Sequence, residues 1–342
     1  MSQANDPRRS TLNAAKLAAL VDARWGADGE RARHPFGSGA ALVGTVDGVS
    51  TAWVLADQVP ERSLGPAVLW AERQGAGPVH LVVDSSAHVL ARQASFFAEP
   101  VPAVWRVEDR ALVRADPAPV PVPLPAPSPP ELVDLLLDAG LELVAEGGSL
   151  RGELNGLEVA RIATGTSTAG VPLDAPLLEV GVGRADRELT GMLHGDLAPV
   201  DQLDRVIEIV RRHRRPDAEP HPLNQLVPER WLRAALCREP ALVGLASLHP
   251  AEGAHARANL RERDIAVAAG ERPDGEPVVV ACAVGVAPDL VPVAADARAV
   301  VAPGAPLLLA VPERDDVPGI RRLASRLVMP AEVTPVPTDW RR

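Results

Sequence analysis

Apolar positions along this 342-residue chain recur with two periods, and the change from one to the other falls at turn residues. Spacing of three and four marks helices, whereas short alternating or continuous runs mark strands. Residues 11–26 carry apolar side chains at helical spacing behind Thr11, a candidate N-cap. Residues 39–57 hold two apolar runs around Asp47-Gly48, which predicts a hairpin with a two-residue turn. A helix over 64–77, a buried strand over 78–84 and a helix over 85–97, capped by Ser85 or Ser86, follow. A strand pair over 100–115, turning near Glu108-Asp109, closes the N-terminal order α-β-β-α-β-α-β-β.

Residues 116–130, DPAPVPVPLPAPSPP, break both periods. Alternating prolines exclude helix and interior strand and favour an extended polyproline II spacer. Beyond it the pattern predicts a helix over 130–147, a hairpin over 149–165 turning at Asn155-Gly156, a strand over 176–183 and a helix over 185–195. A long amphipathic helix spans 200–215, with Val200, Leu203, Val206, Ile207 and Val210 on one face. A helix over 228–237 precedes a strand–helix–strand–helix–strand run over 276–337. The fold class expected is α/β, with small mixed β-sheets flanked by helices. The units are 1–115, a Pro-rich linker 116–130, and 131–342 with a sub-boundary near 216–220. Helices ending VLARQASFF and RRLASRLVM both run into proline-flanked strands. Related α/β modules would explain this, but biased composition is the reading preferred.

Composition narrows the chemistry. With 3% aromatic residues, the core must be Leu, Val and Ala. Lys16 is the only lysine, so no phosphate-loop lysine, Schiff-base lysine or kinase lysine can be written. A net charge of −10 disfavours nucleic acid and anionic membrane as partners. Cys237 and Cys282 lie in apolar runs with no metal-ligand spacing. The N-terminus has no apolar signal region, and no run is long enough to span a membrane, so a cytoplasmic protein is expected.

Polar residues concentrate between Glu179 and Arg233. Gly181 and Gly183 stand where a strand turns into a helix, a place where free N–H groups and the helix dipole favour anions. Arg184 and Arg187 follow, suited to clamp a phosphate or carboxylate bidentately. Arg214 in the cluster 211–215, His221 and Asn224 in a shaped loop, and Arg230 at the start of the next helix complete the candidate ligand set. A catalytic alternative would use Glu158, Glu179, Asp186 and His194, carboxylates and imidazole fit for a divalent metal or acid–base work. No metal site, cofactor or activated nucleophile is legible. Strand-end Asp57 and Asp84 hold positions where carboxylates often act, and also where they cap turns.

The order helix, hairpin, strand or helix, then strand–helix–strand resembles the core of the restriction-endonuclease-like superfamily over 11–114, and more loosely over 131–190 and 255–337. That family's acidic strand residue finds counterparts in Glu153 and Glu158, followed by Glu179-Val180-Gly181, where glycine replaces the lysine. Asp57-Gln58-Val59 has valine there, and VACAVG has no acid. The resemblance implies degenerate, non-cutting modules. The function expected is a binding or scaffold protein that recognises an anionic ligand (nucleotide, phosphorylated metabolite or nucleic-acid end) or a protein partner. Metal-dependent phosphoester hydrolysis and a purely structural or oligomerisation role are the alternatives. Removing Arg187 and Arg230 together is expected to abolish binding and spare the melting temperature.

Overall fold

Three β-sheets carry the fold of the computed structural model, which describes residues 7–26, 30–193, 198–255, 257 and 259–341. The first is built from α1 (Pro7–Trp25), β1 (Ala32–Phe36), β2 (Gly39–Val46), β3 (Val49–Leu55), α2 (Leu64–Arg73), β4 (Val79–Val83), α3 (Ala87–Ala94), β5 (Ala103–Glu108) and β6 (Ala111–Arg114). Its strands lie in sequence order. β1 to β3 form an antiparallel meander, β3, β4 and β5 run parallel through the α2 and α3 crossovers, and β6 folds back antiparallel. Leu17, Leu20 and Val21 of α1 pack on Trp53, Leu55 and Trp105. Thr11 lies inside α1 and not at its start, which is at Pro7. Ser86 precedes α3 in a left-handed conformation, and its hydroxyl donates to Glu61 instead of capping.

The second sheet follows from α4 (Pro130–Asp138), β7 (Glu142–Glu146), β8 (Ser149–Leu154), β9 (Leu157–Ala163), β10 (Leu177–Val180), α5 (Gly183–Leu193) and α6 (Pro199–His213). All its neighbours are antiparallel, in the order β10-β9-β8-β7. The helix expected over 130–147 stops because Gly140 turns left-handed (φ 74°), and Glu142–Glu146 becomes β7. Leu150, Leu157 and Ile162 on one face of the sheet pack against Leu136 of α4 and Leu203, Ile207 and Val210 of α6. Val200 of the predicted stripe is exposed.

The third sheet comprises α7 (Pro228–Arg238), β11 (Ser247–Pro250), β12 (Ala266–Glu271), β13 (Pro277–Cys282), α8 (Leu290–Val301), β14 (Leu307–Pro312), α9 (Pro318–Ser325) and β15 (Glu332–Val336). Its five strands repeat β1 to β5 of the first sheet, an antiparallel meander and then two parallel strands reached through helices, and the first sheet adds β6. The register repeats as well. Ala52 donates to Pro78 O and Ala56 to Val82 O, while Val279 donates to Pro306 O and Ala283 to Ala310 O. The matched residues are displaced by 227 or 228 positions throughout. The meander turns correspond too, at Asp47-Gly48 and Asp274-Gly275. The two sheets therefore share strand order and register over β1 to β5 and β11 to β15.

The chain forms two compact units, Met1–Val120 with Ala287–Asp296 and Val317–Ala331, and Pro121–Val286 with Ala297–Asp316 and Glu332–Arg342. The change of unit falls within the proline-rich segment, but the first unit also draws two segments from far along the chain. Within it, Arg92 makes a buried two-pronged pair with Asp296, at 2.7 and 2.9 Å. Arg62 bonds Asp289 at 2.7 Å. The ends of α3 and α9 exchange reciprocal backbone bonds, Ala98 N to Arg326 O and Val328 N to Phe96 O, both 2.8 Å. Among the described residues, no helix is long and apolar enough to cross a membrane.

Candidate functional site

The second sheet has one apolar face and one charged face. Val144, Arg151, Arg161 and Glu179 are cross-strand neighbours on the charged face. Glu158 and Arg161 are three residues apart and would face opposite sides of a regular strand. A β-bulge opposite Gly152 and Glu153 inserts one extra residue in β9 and shifts the register, so Glu158 pairs with Glu153 while Arg161 pairs with Arg151. Both charges then serve the same face.

α7 covers that face and is polarised. Arg230 and Arg233 reach the carboxylates of the second sheet, while Trp231, Leu232, Ala235 and Leu236 enter the core of the third. The result is a ladder of alternating charge. Arg233 bonds Glu153 at 2.6 Å, and Glu153 takes Arg230 at 2.7 Å. Arg230 goes on to Glu146, which accepts from Arg151 at 2.9 Å. Arg151 stands 3.2 Å from Glu158, which accepts from Arg187 at 2.7 Å. Glu153 has no exposed side-chain surface and Arg230 only 4%. Burial opposes the charge on Glu153, but Arg233 and Arg230 outweigh it and hold its carboxyl below the usual range. For Arg230 burial is likewise outweighed, by Glu153 and Glu146, and its pKa rises. A neighbouring branch joins Arg161 to Glu179 at 2.9 Å and to the Thr168 hydroxyl at 2.6 Å, and that hydroxyl in turn donates to Glu179. Burial opposes the charge of Glu179, and the bonds from Thr168 and Arg161 overcome it.

This ladder backs an open cleft of about 870 Å³ lined, among the described residues, by seven arginines (151, 161, 184, 187, 230, 257 and 261) and a single carboxylate, Glu158. The arginines differ in freedom. Arg187, Arg230 and Arg257 are buried, held by Glu158, by Glu153 with Glu146, and by Glu229. Arg184 is 78% exposed and tied only to Glu188 one turn along α5, and Arg261 is exposed. The cleft therefore combines buried, ion-paired guanidinium groups with solvent-exposed ones.

Of the residues singled out from sequence, Gly183, Arg184, Arg187 and Arg230 line this cleft together. Gly181 lies behind it with φ 141°, where a Cβ would come within 2.9 Å of the Arg187 nitrogen. His221 and Asn224 line a second cleft of about 510 Å³. Arg214 lines neither, because it is buried and donates to the carbonyls of Asn155, Leu223, Leu226 and Val227. The burial of Arg230 against Glu153 also changes the expectation for its removal, which would leave the buried Glu153 with Arg233 as its remaining ion-pair partner and lower the melting temperature. Arg151, Arg161, Arg257 and Arg261 were not anticipated. Arg151 and Arg161 could have been, since a charge inside an otherwise apolar strand asks for a partner.

The catalytic alternative meets committed groups. Glu158 faces Arg151 and Arg187, Glu179 faces Arg161, and Asp186, in the first turn of α5, accepts from the N–H of Val182 at 2.6 Å. His194 lies outside the described residues. Among the described residues no group of three or more His, Cys, Asp or Glu side chains could hold a metal ion. In the first unit Asp57 takes Arg9 and Asn13, and Asp84 takes Lys16, the only lysine. No protein-family model, curated protein or solved structure matches the chain.

Proposed function

We propose that this protein binds a multiply charged anion in the arginine-lined cleft of its second unit, without catalysing a reaction on it. One observation carries the reading: seven guanidinium groups border the cleft against one carboxylate, in a chain whose net charge is −10. Guanidinium offers planar, paired donors that match phosphate or carboxylate oxygens. The buried carboxylates behind the cleft fix Arg187 and Arg230 before any ligand arrives, which reduces the ordering cost of binding. Groups that could act as base or nucleophile are already engaged, with Glu158 and Glu179 facing arginines and Thr168 donating to Glu179.

Exposed Arg184 and Arg261 separate ligand binding from folding. A thermal-shift screen with phosphate, nucleotides, sugar phosphates and dicarboxylates tests the reading. A ligand at 100 times its Kd stabilises by about 2.7 kcal/mol. The R184A/R261A variant is expected to melt as the parent does without ligand and to lose the shift with it. No shift with any anion would leave the arginine ladder as a purely structural network. A shift that survives the double substitution would place the ligand elsewhere.

A further inference from the structure

The two clefts of the second unit share a wall. Leu260 and Arg261 border both, and the segment Pro222–Val227 contributes Pro222 and Leu226 to the first and Asn224, Gln225 and Val227 to the second. The second cleft, about 510 Å³, is basic in its own right, with Arg215, Arg263, Arg314 and Arg341 beside the shared Arg261. It has two carboxylates in its lining, Glu229 and Glu262, and Glu229 is already bonded to Arg257. Guanidinium groups therefore run from the first cleft past Arg261 into the second.

A compact anion such as a mononucleotide would occupy one cleft and leave the other without a purpose. The linings also say what the ligand lacks. Neither contains Trp, Phe or Tyr, and the imidazole in the second lining, His221, is already stacked on His213 with ring centroids 3.8 Å apart, so little aromatic surface is offered to a nucleobase. No sheet edge borders either cleft to receive a peptide backbone, since their lining comes from loops, helix starts and strand side chains. What remains to be recognised is a succession of anionic oxygens on a flexible chain.

We infer that the ligand is a linear inorganic polyphosphate, lying in the first cleft and continuing over Arg261 into the second. This rests on the anion-binding reading above and adds the length and chemistry of the ligand. Arg184 and the buried arginines hold one stretch of the chain, Arg261 bridges, and Arg215 and Arg314 hold the next. Binding is then dominated by charge neutralisation and steepens in its salt dependence as the chain lengthens.

Calorimetric titration of the full chain with orthophosphate, tripolyphosphate and polyphosphate of about 25 residues tests this at two salt concentrations. The long chain is expected to bind at least about tenfold tighter than tripolyphosphate and with a steeper salt slope. The R215A/R314A variant, altered only at exposed positions of the second cleft, is expected to weaken the long chain about tenfold and leave tripolyphosphate unchanged. R261A should weaken both. Equal affinity for long and short phosphates, or indifference of the long chain to R215A/R314A, would overturn the extended ligand while the anion site stood. Absence of binding by every phosphate would remove this inference, and the anion reading itself falls only if the carboxylate and nucleotide panel is silent too. Thymidine oligonucleotides or polyglutamate of equal charge that bind as tightly as polyphosphate would reassign the track to nucleic acid or acidic protein.

Discussion

Arginine does two jobs within a few ångströms in this protein, and burial tells them apart. Arg230 belongs to the fold: truncating it leaves Glu153 and Glu146 short of a counter-ion in the interior. R230A is expected to destabilise the protein by about 3–5 kcal/mol, measured by urea unfolding. A loss below about 1 kcal/mol would mean that water reaches Glu153. His80 gives the first unit a pH response of its own. It lies among Trp25, Trp53 and Trp105 and accepts from the Trp105 indole N–H at 3.0 Å. Burial, with Arg114 and Arg24 nearby, lowers its pKa from 6.5 to about 4. Between those values the unfolded chain takes up a proton that the folded chain refuses, so stability falls as pH drops from 6.5 to 4. The loss reaches about 3 kcal/mol once pH is below the lower value. Melting curves from about pH 7 to 4.5 should fall more steeply for the parent than for H80Q, and equal slopes would assign the acid sensitivity elsewhere.

Elements show why some of the site was legible and some was not. Gly183, Arg184 and Arg187 could be found because a strand ending in glycine and passing into a helix is a local signal. Arg151 and Arg161 could not be grouped with Glu158, because a period of two places Glu158 on the opposite face and only the bulge brings it back. Arg257 and Arg261 come from a stretch without periodicity. Strands β1, β11 and β12 escaped for a related reason: β1 is an exposed edge containing proline, and the other two are short and rich in Ala, Gly or polar residues. The turns at Asp47-Gly48 and Asn155-Gly156 read correctly from sequence, the one at Asp274-Gly275 was not read, and the glycines of these turns are not equivalent. Gly275 has open space around it, whereas a Cβ on Gly156 would meet the Arg230 carbonyl at 2.2 Å. G275A is expected to cost about 1 kcal/mol, for its left-handed backbone alone. G156A is expected to cost about 3 kcal/mol or more, because it also pushes α7 off the second sheet. Comparable losses for the two would show that α7 yields without penalty.

At the scale of the whole chain, the proline-rich segment was visible in sequence, but the return of later segments to the first unit was not. That return depends on pairs such as Arg92 with Asp296, separated by 204 residues, which no local pattern announces. Residues 1–120 expressed alone should therefore be poorly stable, with Arg92 deprived of Asp296 and the surface covered by the returning segments exposed. A cooperative melt of that fragment at the temperature of the first unit in the full chain would argue that the returning segments are dispensable. The polarity of α7 has a consequence of another kind. One helix gives its guanidinium groups to the second sheet and its indole and leucines to the third, so neither sheet can release it without exposing the other's interior. The two sheets then share a single melting event, and a ligand that tightens the arginine cleft is felt in a hydrophobic core it never touches.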